Sequence, residues 1–277
     1  MTVAAPLLAV DNLSPSFETV DGVAGVLDQV SFEVSEGHWT GLVGETGCGK
    51  SVTASAIIRL LPRNAAIAGR IALRGIDLIL KSEREMRSIR GRDIAMVFQD
   101  PGIAINPALK VGGQIAETIA IHHELGRQEA RERAAAAVRR VGLDERVLQQ
   151  YAHELSGGMR QRVMIALALA CNPSLILADE PTSSLDVTVQ RDILALMKEL
   201  SAVSRTAVLF ITHDLVLVGQ TCDELVVMYA GTVVERGPSA AVLRLKHHPY
   251  TRALIAAIPA IDAPKRRSMK STAASRA

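Results

Sequence analysis

One octapeptide constrains the fold of this 277-residue chain more than any other feature. Residues 44–51 read Gly-Glu-Thr-Gly-Cys-Gly-Lys-Ser and match the phosphate-binding pattern G-x-x-x-x-G-K-[ST] at every fixed position. The short apolar run Trp39–Val43 precedes the octapeptide, and residues 51–61 have the pattern of a helix that ends before Pro62. Since a phosphate loop needs a strand before it and a helix after it, the sequence predicts an α/β domain built around this loop.

The composition of the loop indicates how it binds phosphate. Its glycines allow backbone N–H groups to turn inward, and the N-terminus of the following helix adds positive potential. Lys50 is predicted to neutralise the β- and γ-phosphates, and Ser51 to ligate Mg²⁺. Cys48 occupies a variable position, where we interpret it as a small spacer. The predicted loop residues are Gly44, Glu45, Thr46, Gly47, Cys48, Gly49, Lys50 and Ser51.

A second nucleotide element follows the apolar segment 174–178. If this segment is a strand, Asp179 stands at its carboxyl end, where it can hold Mg²⁺ through water. Glu180 follows at the same edge and can orient and deprotonate an attacking water, a role typically worth roughly 10²–10⁴ in rate. We therefore predict that the chain hydrolyses the nucleotide that it binds.

Residues 155–162, Leu-Ser-Gly-Gly-Met-Arg-Gln-Arg, indicate a second anion site. Ser156 precedes Gly157 and Gly158 at a predicted helix start, where exposed backbone donors and the helix dipole favour an anion.

The pattern of apolar residues predicts a helical insertion in the α/β core. Strands are predicted at Val30–Val34, Trp39–Val43, 71–73, 76–80 and 94–98, and again at 174–178, Ala207–Thr212 and 225–228. Between these two groups the helices are predicted at 114–125, 127–141 and 157–170, and a further helix at 187–201. Residues 263–277 are small, polar and basic, which is typical of a disordered tail.

Composition excludes several other classes of protein. A net charge of +2 gives no basic surface for nucleic acid, and the three widely spaced cysteines suggest neither a disulfide framework nor a zinc site. No apolar run approaches the roughly 18 residues of a membrane span, and the N-terminus lacks the features of a signal peptide. We therefore expect a soluble chain, so that any membrane-spanning partner is a separate polypeptide.

Taken in order over residues 7–260, these motifs resemble the ATP-binding subunit of an ABC transporter, a P-loop NTPase core with an inserted helical subdomain. The segment 181–186 resembles the D-loop of that family and ends in Asp186. His213, in Ile-Thr-His-Asp, resembles the histidine that contacts the γ-phosphate. Gln99, in Val-Phe-Gln-Asp-Pro, resembles the glutamine that links Mg²⁺ and the attacking water to the helical subdomain. Phe17, 27 residues before Gly44, is the candidate for the aromatic that stacks on adenine, although Pro15 interrupts the strand pattern there.

The resemblance implies a catalytic, Mg²⁺-binding or partner-site role for each of these residues. Glu180, His213 and Gln99 are the implied catalytic residues, and Ser51, Gln99 and Asp179 the implied Mg²⁺ ligands, the last through water. A second set is implied to complete the ATP site of a partner subunit in a head-to-tail dimer: Leu155, Ser156, Gly157, Gly158, Gln161 and Asp186. ATP-driven closure of the dimer would then act on a membrane protein through Gln99. Whether the partner is a second copy or a related subunit is left open.

Three further segments resemble the oligopeptide/dipeptide/nickel importer branch: 89–101, 186–190 and 248–254. This implies an ATPase domain over 7–245 with its helical subdomain at about 101–170, an importer-type extension at 246–262 and the basic tail at 263–277. It also implies two permease subunits, an indirect contact with an extracytoplasmic solute-binding protein, and a peripheral position on the cytoplasmic face of the plasma membrane. The transported solute, whether peptide, nickel or metal chelate, is left open.

The main alternative is a soluble ABC ATPase that acts on nucleic acid or ribosomes. Such proteins usually carry two nucleotide domains or long inserted arms, and this chain has one set of motifs and a near-neutral charge. A GTPase or small-molecule kinase is a weaker alternative. The chain has no N-K-x-D segment for guanine, and neither class explains residues 155–162.

Overall fold

The computed structural model describes residues 5–20, 22–183 and 185–257, so the predicted tail at 263–277 and the end of the predicted extension lie outside the described residues. The strands are β1 Leu8–Thr19, β2 Gly22–Gly25, β3 Val30–Val34, β4 Trp39–Val43, β5 Ala65–Leu73, β6 Ile76–Asp77, β7 Ile94–Val97, β8 Leu175–Asp179, β9 Ala207–Thr212, β10 Glu224–Tyr229 and β11 Thr232–Pro238. The helices are α1 Lys50–Ile57, α2 Glu83–Ile89, α3 Pro101–Ala104, α4 Val111–His123, α5 Arg127–Arg140, α6 Gly157–Leu169, α7 Val187–Ser204, α8 Leu215–Thr221, α9 Ser239–Leu245 and α10 Pro249–Ala256, with short 3-10 helices at Glu145–Gln149 and Ala152–Glu154.

A six-stranded sheet in the order β11-β10-β4-β9-β8-β7 forms the centre of the molecule. All its pairings are parallel except that of β11 with β10. Every residue of β4 and β9 is buried, as is typical of parallel strands that are covered on both faces. Because parallel strands run in one direction, the carboxyl ends of β4, β9, β8 and β7 meet at one edge of the sheet.

The helices α3 to α6 are inserted between β7 and β8, which are nevertheless neighbours in the sheet. Val111, Ile115 and Ile119 form the buried stripe of α4, spaced four residues apart as one face of a helix requires. These side chains belong to the same hydrophobic cluster as Trp39 and Phe210 of the central sheet. The helical part and the sheet therefore share one hydrophobic core.

A second, antiparallel sheet has the order β2-β1-β5-β6, with β3 also paired to β1. The sequence pattern suggested that Pro15 interrupts a strand, but β1 continues through it, with Pro15 opposite Ile67 of β5. On its other side β1 pairs with β3 up to Leu13 and with β2 from Ser16. Pro15 lies between these two pairings, so the N–H that it lacks removes no hydrogen bond to β2 or β3.

Two predicted elements are shorter in the structure than the apolar pattern indicates. The predicted strand 76–80 is reduced to β6, because the Asp77 carboxylate accepts a hydrogen bond from the Ile79 N–H (2.9 Å) and turns the chain. The predicted helix 51–61 ends at Ile57, and Arg59 adopts a left-handed conformation (φ 53°) before Pro62 is reached. Within the described ranges, no helix combines the length and apolar character needed to cross a bilayer.

The close approach of β1 and β5 predicts a stability difference between two glycine substitutions. Gly69 of β5 has φ +99°, and a Cβ there would lie 2.4 Å from the Asn12 carbonyl oxygen, whereas a Cβ on Gly75 (φ +79°) meets open space. We expect Gly75→Ala to lower the free energy of unfolding by about 1–2 kcal/mol, the cost of the left-handed backbone alone. Gly69→Ala should lower it by about 2 kcal/mol more, because the backbone must also move. Urea denaturation measures both; equal losses would mean that the contact with Asn12 carries no cost.

Candidate nucleotide-binding and catalytic site

The phosphate loop turns from β4 into α1 through glycines in conformations that other residues rarely adopt. Gly44, Gly47 and Gly49 have φ of +157°, +86° and +106°. A Cβ on Gly44 would lie 2.3 Å from the Met228 carbonyl oxygen, and one on Gly49 would lie 2.2 Å from Leu27 Cδ2. The loop is therefore wedged against the protein at both ends, while Gly47 between them is exposed and free to approach a ligand.

The side chain of Lys50 lies across the phosphate loop, and the backbone contacts that hold it there do not neutralise its charge. Its side chain is buried, and Nζ donates to the carbonyl oxygens of Gly44 and Glu45, both at 2.8 Å. Both acceptors are neutral, so they orient the ammonium without neutralising it. An ammonium in this setting is poised to attract phosphate oxygens.

Ser51 and Asp179 are in contact although β4, which precedes the loop and Ser51, and β8, which ends at Asp179, are not neighbours in the sheet. Ser51, in the first turn of α1, donates from Oγ to Asp179 Oδ1 at 3.1 Å, above the end of the intervening β9. Burial raises the pKa of Asp179 from its usual value, despite that hydrogen bond. A hydroxyl and a partly buried carboxylate are oxygen donors of the kind that Mg²⁺ prefers, and a cation would offset the desolvation of the carboxylate. These residues therefore fit a magnesium ion.

Glu180 and His213 form a pair at the ends of the adjacent strands β8 and β9. His213 Nδ1 lies 3.0 Å from Glu180 Oε1, within hydrogen-bonding distance. Glu180 has a left-handed backbone (φ 44°), held by its N–H donating to the Ile211 carbonyl at 2.9 Å. Such a conformation is costly outside glycine and concentrates at functional sites, where it aims a side chain. The geometry thus directs the carboxylate of Glu180 out of the strand edge towards His213.

A cavity of about 310 Å³ brings most of the predicted nucleotide and catalytic residues together. It is lined by Val26, Thr46, Gly47, Gly49, Lys50, Ser51, Val52, Gln99, Glu180 and His213. Gln99 is exposed and reaches the cavity from the end of β7. Sequence reasoning missed Val26 and Val52, because a single valine near a loop carries no recognisable pattern.

Phe17 is not among the residues that line this cavity. It is half-buried on β1, opposite Ala24 of β2 and Ala65 of β5. Of the apolar residues that do line the cavity, Val26 is nearest to Phe17 along the chain. The predicted contact between Phe17 and adenine stays a prediction.

The predicted second anion site is a separate surface. Ser156 caps α6, where its hydroxyl accepts from the Met159 N–H at 3.3 Å. Ser156 and Gly157 are exposed, and a Cβ on Gly157 would meet no atom within 4 Å. None of residues 155–161 lines the 310 Å³ cavity. The start of α6 therefore presents an exposed helix N-terminus outside the cavity that the loop of its own chain lines.

Three residues of the implied partner-site set also have roles within their own chain. Leu155 is buried in the main hydrophobic cluster, and Gln161 is fully buried and donates from Nε2 to the Pro181 carbonyl. Asp186, which is exposed, caps α7 by accepting from the N–H groups of Thr188 and Val189, both at 3.0 Å. The motif thus ties the start of α6 to the segment that follows Glu180.

Comparisons with known proteins show which family the chain resembles. Residues 27–183 match the family model described as ABC transporter, and residues 234–277 match the one described as oligopeptide/dipeptide transporter, C-terminal region. The chain is 49% identical over 257 residues to a probable peptide ABC transporter ATP-binding protein, y4tR, of Sinorhizobium fredii, covering 91% of this chain and 77% of the relative. It is 44% identical over 260 residues to the oligopeptide transport ATP-binding protein OppD of Bacillus subtilis, covering 92% and 73%.

The fold has a close counterpart among solved structures. A dimeric ATP-binding cassette, MJ0796, solved in a post-hydrolysis state bound to ADP and Pi, superposes with a TM-score of 0.74 at 27% identity, covering 84% of this chain and 98% of the cassette. The predicted P-loop NTPase fold of the ABC type is confirmed. By its motifs, its fold and its relatives, the chain belongs to the ABC transporter family as an ATP-binding subunit, in the branch that carries the oligopeptide/dipeptide transporter C-terminal region.

Proposed function

We propose that this chain is the ATPase subunit that powers peptide uptake through separate permease subunits. The observation that carries the proposal is the single cavity in which the phosphate loop faces the Glu180–His213 pair and Gln99. That arrangement is built to hydrolyse a nucleotide and not only to bind it. The relatives described above are named for peptides and oligopeptides, which favours peptides over nickel and over the nucleic-acid alternative.

Within this site each group has a proposed part in hydrolysis. Loop N–H groups and the Lys50 ammonium bind the phosphates of ATP. Glu180 accepts the proton of the attacking water, while His213 holds the carboxylate through Nδ1 and reaches the γ-phosphate. Mg²⁺ held by Ser51, Gln99 and, through water, Asp179 would neutralise charge on the β- and γ-phosphate oxygens. Phe17 is the proposed adenine contact.

The working unit that we propose is a dimer with two composite sites. In each of them the start of α6 in one subunit, with Ser156, Gly157 and Gly158, covers the ATP bound to the loop of the other. Two observations support this: the start of α6 is exposed, and it contributes nothing to the cavity of its own chain. The related cassette MJ0796 is itself described as dimeric.

We further propose that permease subunits bind beside the helical part, which places the chain peripherally on the cytoplasmic face of the membrane. An apolar cavity of about 330 Å³ lies there, with the exposed side chains of Leu60 and Ile103 among its lining. Phe98, the neighbour of Gln99, also lines it. Closure around ATP would move Gln99 and reach the permease through this cavity. A solute-binding protein would deliver peptide to the permease and would not contact this chain.

The role of Glu180 predicts a separation of binding from turnover. Glu180→Gln keeps the shape of the side chain but removes its basicity, so kcat for ATP should fall by about 10²-fold or more. ATP affinity should stay within about threefold, because the phosphate contacts remain. Lys50→Ala should instead weaken ATP binding by about tenfold or more, since a charge-assisted contact is lost. Steady-state ATPase assays and equilibrium titration measure both quantities.

The matched control for this experiment is Glu199→Gln, the same chemical change at an exposed position of α7. It should leave kcat and affinity unchanged. Near-normal hydrolysis by the Glu180 variant would contradict its role as base.

The composite site predicts that two inactive variants restore each other. Glu180→Gln and Ser156→Arg damage opposite halves, so a mixed dimer keeps one site with both halves intact. With random exchange, half of the dimers are mixed, and ATPase activity should recover to about a quarter of the wild-type rate. Glu180→Gln mixed with Lys50→Ala is the control: both changes damage the same half, so no intact site forms.

Where the wild-type chain alone hydrolyses ATP, recovery in the control mixture, or none in the test mixture, would overturn the composite site. If the wild-type chain hydrolyses ATP only after a different ATPase subunit is added, the dimer is a heterodimer.

The transport role predicts that peptide uptake depends on hydrolysis by this chain. In cells that lack the chain, we expect uptake of a radiolabelled peptide mixture to fall, to return with the wild-type chain and to stay low with Glu180→Gln. Leu60→Asp should give normal ATPase activity in the purified chain but little uptake, because a charge enters the proposed permease contact. Unchanged peptide uptake in the deleted cells, or salt-sensitive nucleic-acid binding by the purified chain, would contradict the proposal.

A further inference from the structure

One carboxylate contributes to holding the segment after α9 against the body of the protein, in addition to the packing of α10 on the main hydrophobic cluster. Glu235 of β11 accepts hydrogen bonds from the backbone N–H groups of His247 (3.0 Å, to Oε1) and His248 (3.1 Å, to Oε2). The His248 ring then caps α10, with Nδ1 accepting from the Tyr250 N–H at 3.2 Å. These contacts and the core packing of α10 together position Tyr250, which lies in the first turn of α10.

Tyr250 reaches the phosphate loop, 205 residues away in sequence. Its hydroxyl oxygen accepts a hydrogen bond from the Glu45 backbone N–H at 3.0 Å. The ring packs against that of Tyr229 at the end of β10, with centroids 4.5 Å apart and planes at 43°. Burial raises the pKa of the Tyr250 hydroxyl, so it stays protonated at physiological pH.

Glu45 is the residue through which this contact bears on Lys50. Its N–H is bound by Tyr250, and its carbonyl oxygen accepts from Lys50 Nζ at 2.8 Å. The loop has a second support nearby, where the Gly231 N–H donates to the Cys48 carbonyl at 3.1 Å. Between these supports Gly47 is exposed, and a Cβ on it would meet no atom within 4 Å. Losing the Tyr250 hydroxyl would therefore free the part of the loop that orients the lysine.

We infer that Tyr250 is a positioning residue for ATP binding: it holds the phosphate loop and Lys50 in the binding conformation from behind. A loop that is already ordered loses less conformational freedom when the nucleotide binds, so preorganisation appears as affinity. Neither Glu180 nor His213 is touched, so the chemical step is unaffected once ATP is bound. This inference rests on the proposal that the loop binds the phosphates of ATP.

The test is Tyr250→Phe, which keeps the ring against Tyr229 and removes only the hydroxyl. We expect the Kd of a fluorescent ATP analogue and the KM for ATP to rise by about 3- to 10-fold, the effect of one lost hydrogen bond. The affinity for ADP should fall in parallel, because ADP uses the same loop. kcat should stay within about twofold of the wild-type value and Tm should not change, since the ring packing remains.

Tyr229→Phe is the matched control, because it removes a hydroxyl from the same aromatic pair without touching the hydrogen bond to Glu45. It should leave Kd, KM and kcat unchanged. The inference is overturned if Tyr250→Phe has no larger effect than Tyr229→Phe, or if kcat falls while Kd is constant. Lys50→Ala, measured alongside, separates failure of the proposed ATP site from failure of the role of Tyr250. If Lys50→Ala binds ATP normally, the proposed site is wrong. If Lys50→Ala loses affinity and Tyr250→Phe does not, only the role of Tyr250 is wrong.

Glu235→Ala tests the anchoring step independently. Removing the carboxylate frees the backbone of His247 and His248, so ATP affinity should fall in the same direction as with Tyr250→Phe. Because both changes break the same route, the double variant should lose less affinity than the two single losses combined. Fully additive losses, or an unchanged affinity in Glu235→Ala, would overturn the route from Glu235 to the loop.

Discussion

The parallel pairing of β4, β9, β8 and β7 is the constraint on which the site depends. Parallel strands end on the same edge, so the phosphate loop, His213, Glu180 and Gln99 leave the sheet side by side. The spatial order also decides which groups touch. Because β9 lies between β4 and β8, His213 stands next to Glu180, and Ser51 reaches Asp179 above the end of β9.

Several features of this edge are costly to a protein without a bound ligand. Burial disfavours the charged form of Asp179, Glu180 has a left-handed backbone, and the buried Lys50 ammonium donates to neutral groups, two carbonyl oxygens and the Cys48 sulfur. A ligand that brings phosphate oxygens and a cation, as we propose for ATP and Mg²⁺, would offset the costs at Asp179 and Lys50.

Two hydrogen bonds connect distant parts of the chain to the site. Gln161 joins the start of α6 to Pro181, directly after Glu180. Tyr250 joins the C-terminal region to the phosphate loop through Glu45. The first contact links the surface that we propose faces a partner to the catalytic strand end. The second makes the C-terminal region a support of the nucleotide site in addition to its place in the family pattern.

The fold class could be predicted from short motifs in the amino-acid sequence and is confirmed, and the same motifs carry the proposed chemistry of the site. The glycines of the phosphate loop, Lys50 and the Asp179–Glu180 step each carry their chemistry within a few residues. The folded structure was needed to show that Pro15 is accommodated within β1, that Val26 lines the cavity while Phe17 does not, and that Tyr250 contacts Glu45. These facts depend on strand order and on contacts across as many as 205 residues, and no local pattern of side chains encodes a contact of that separation.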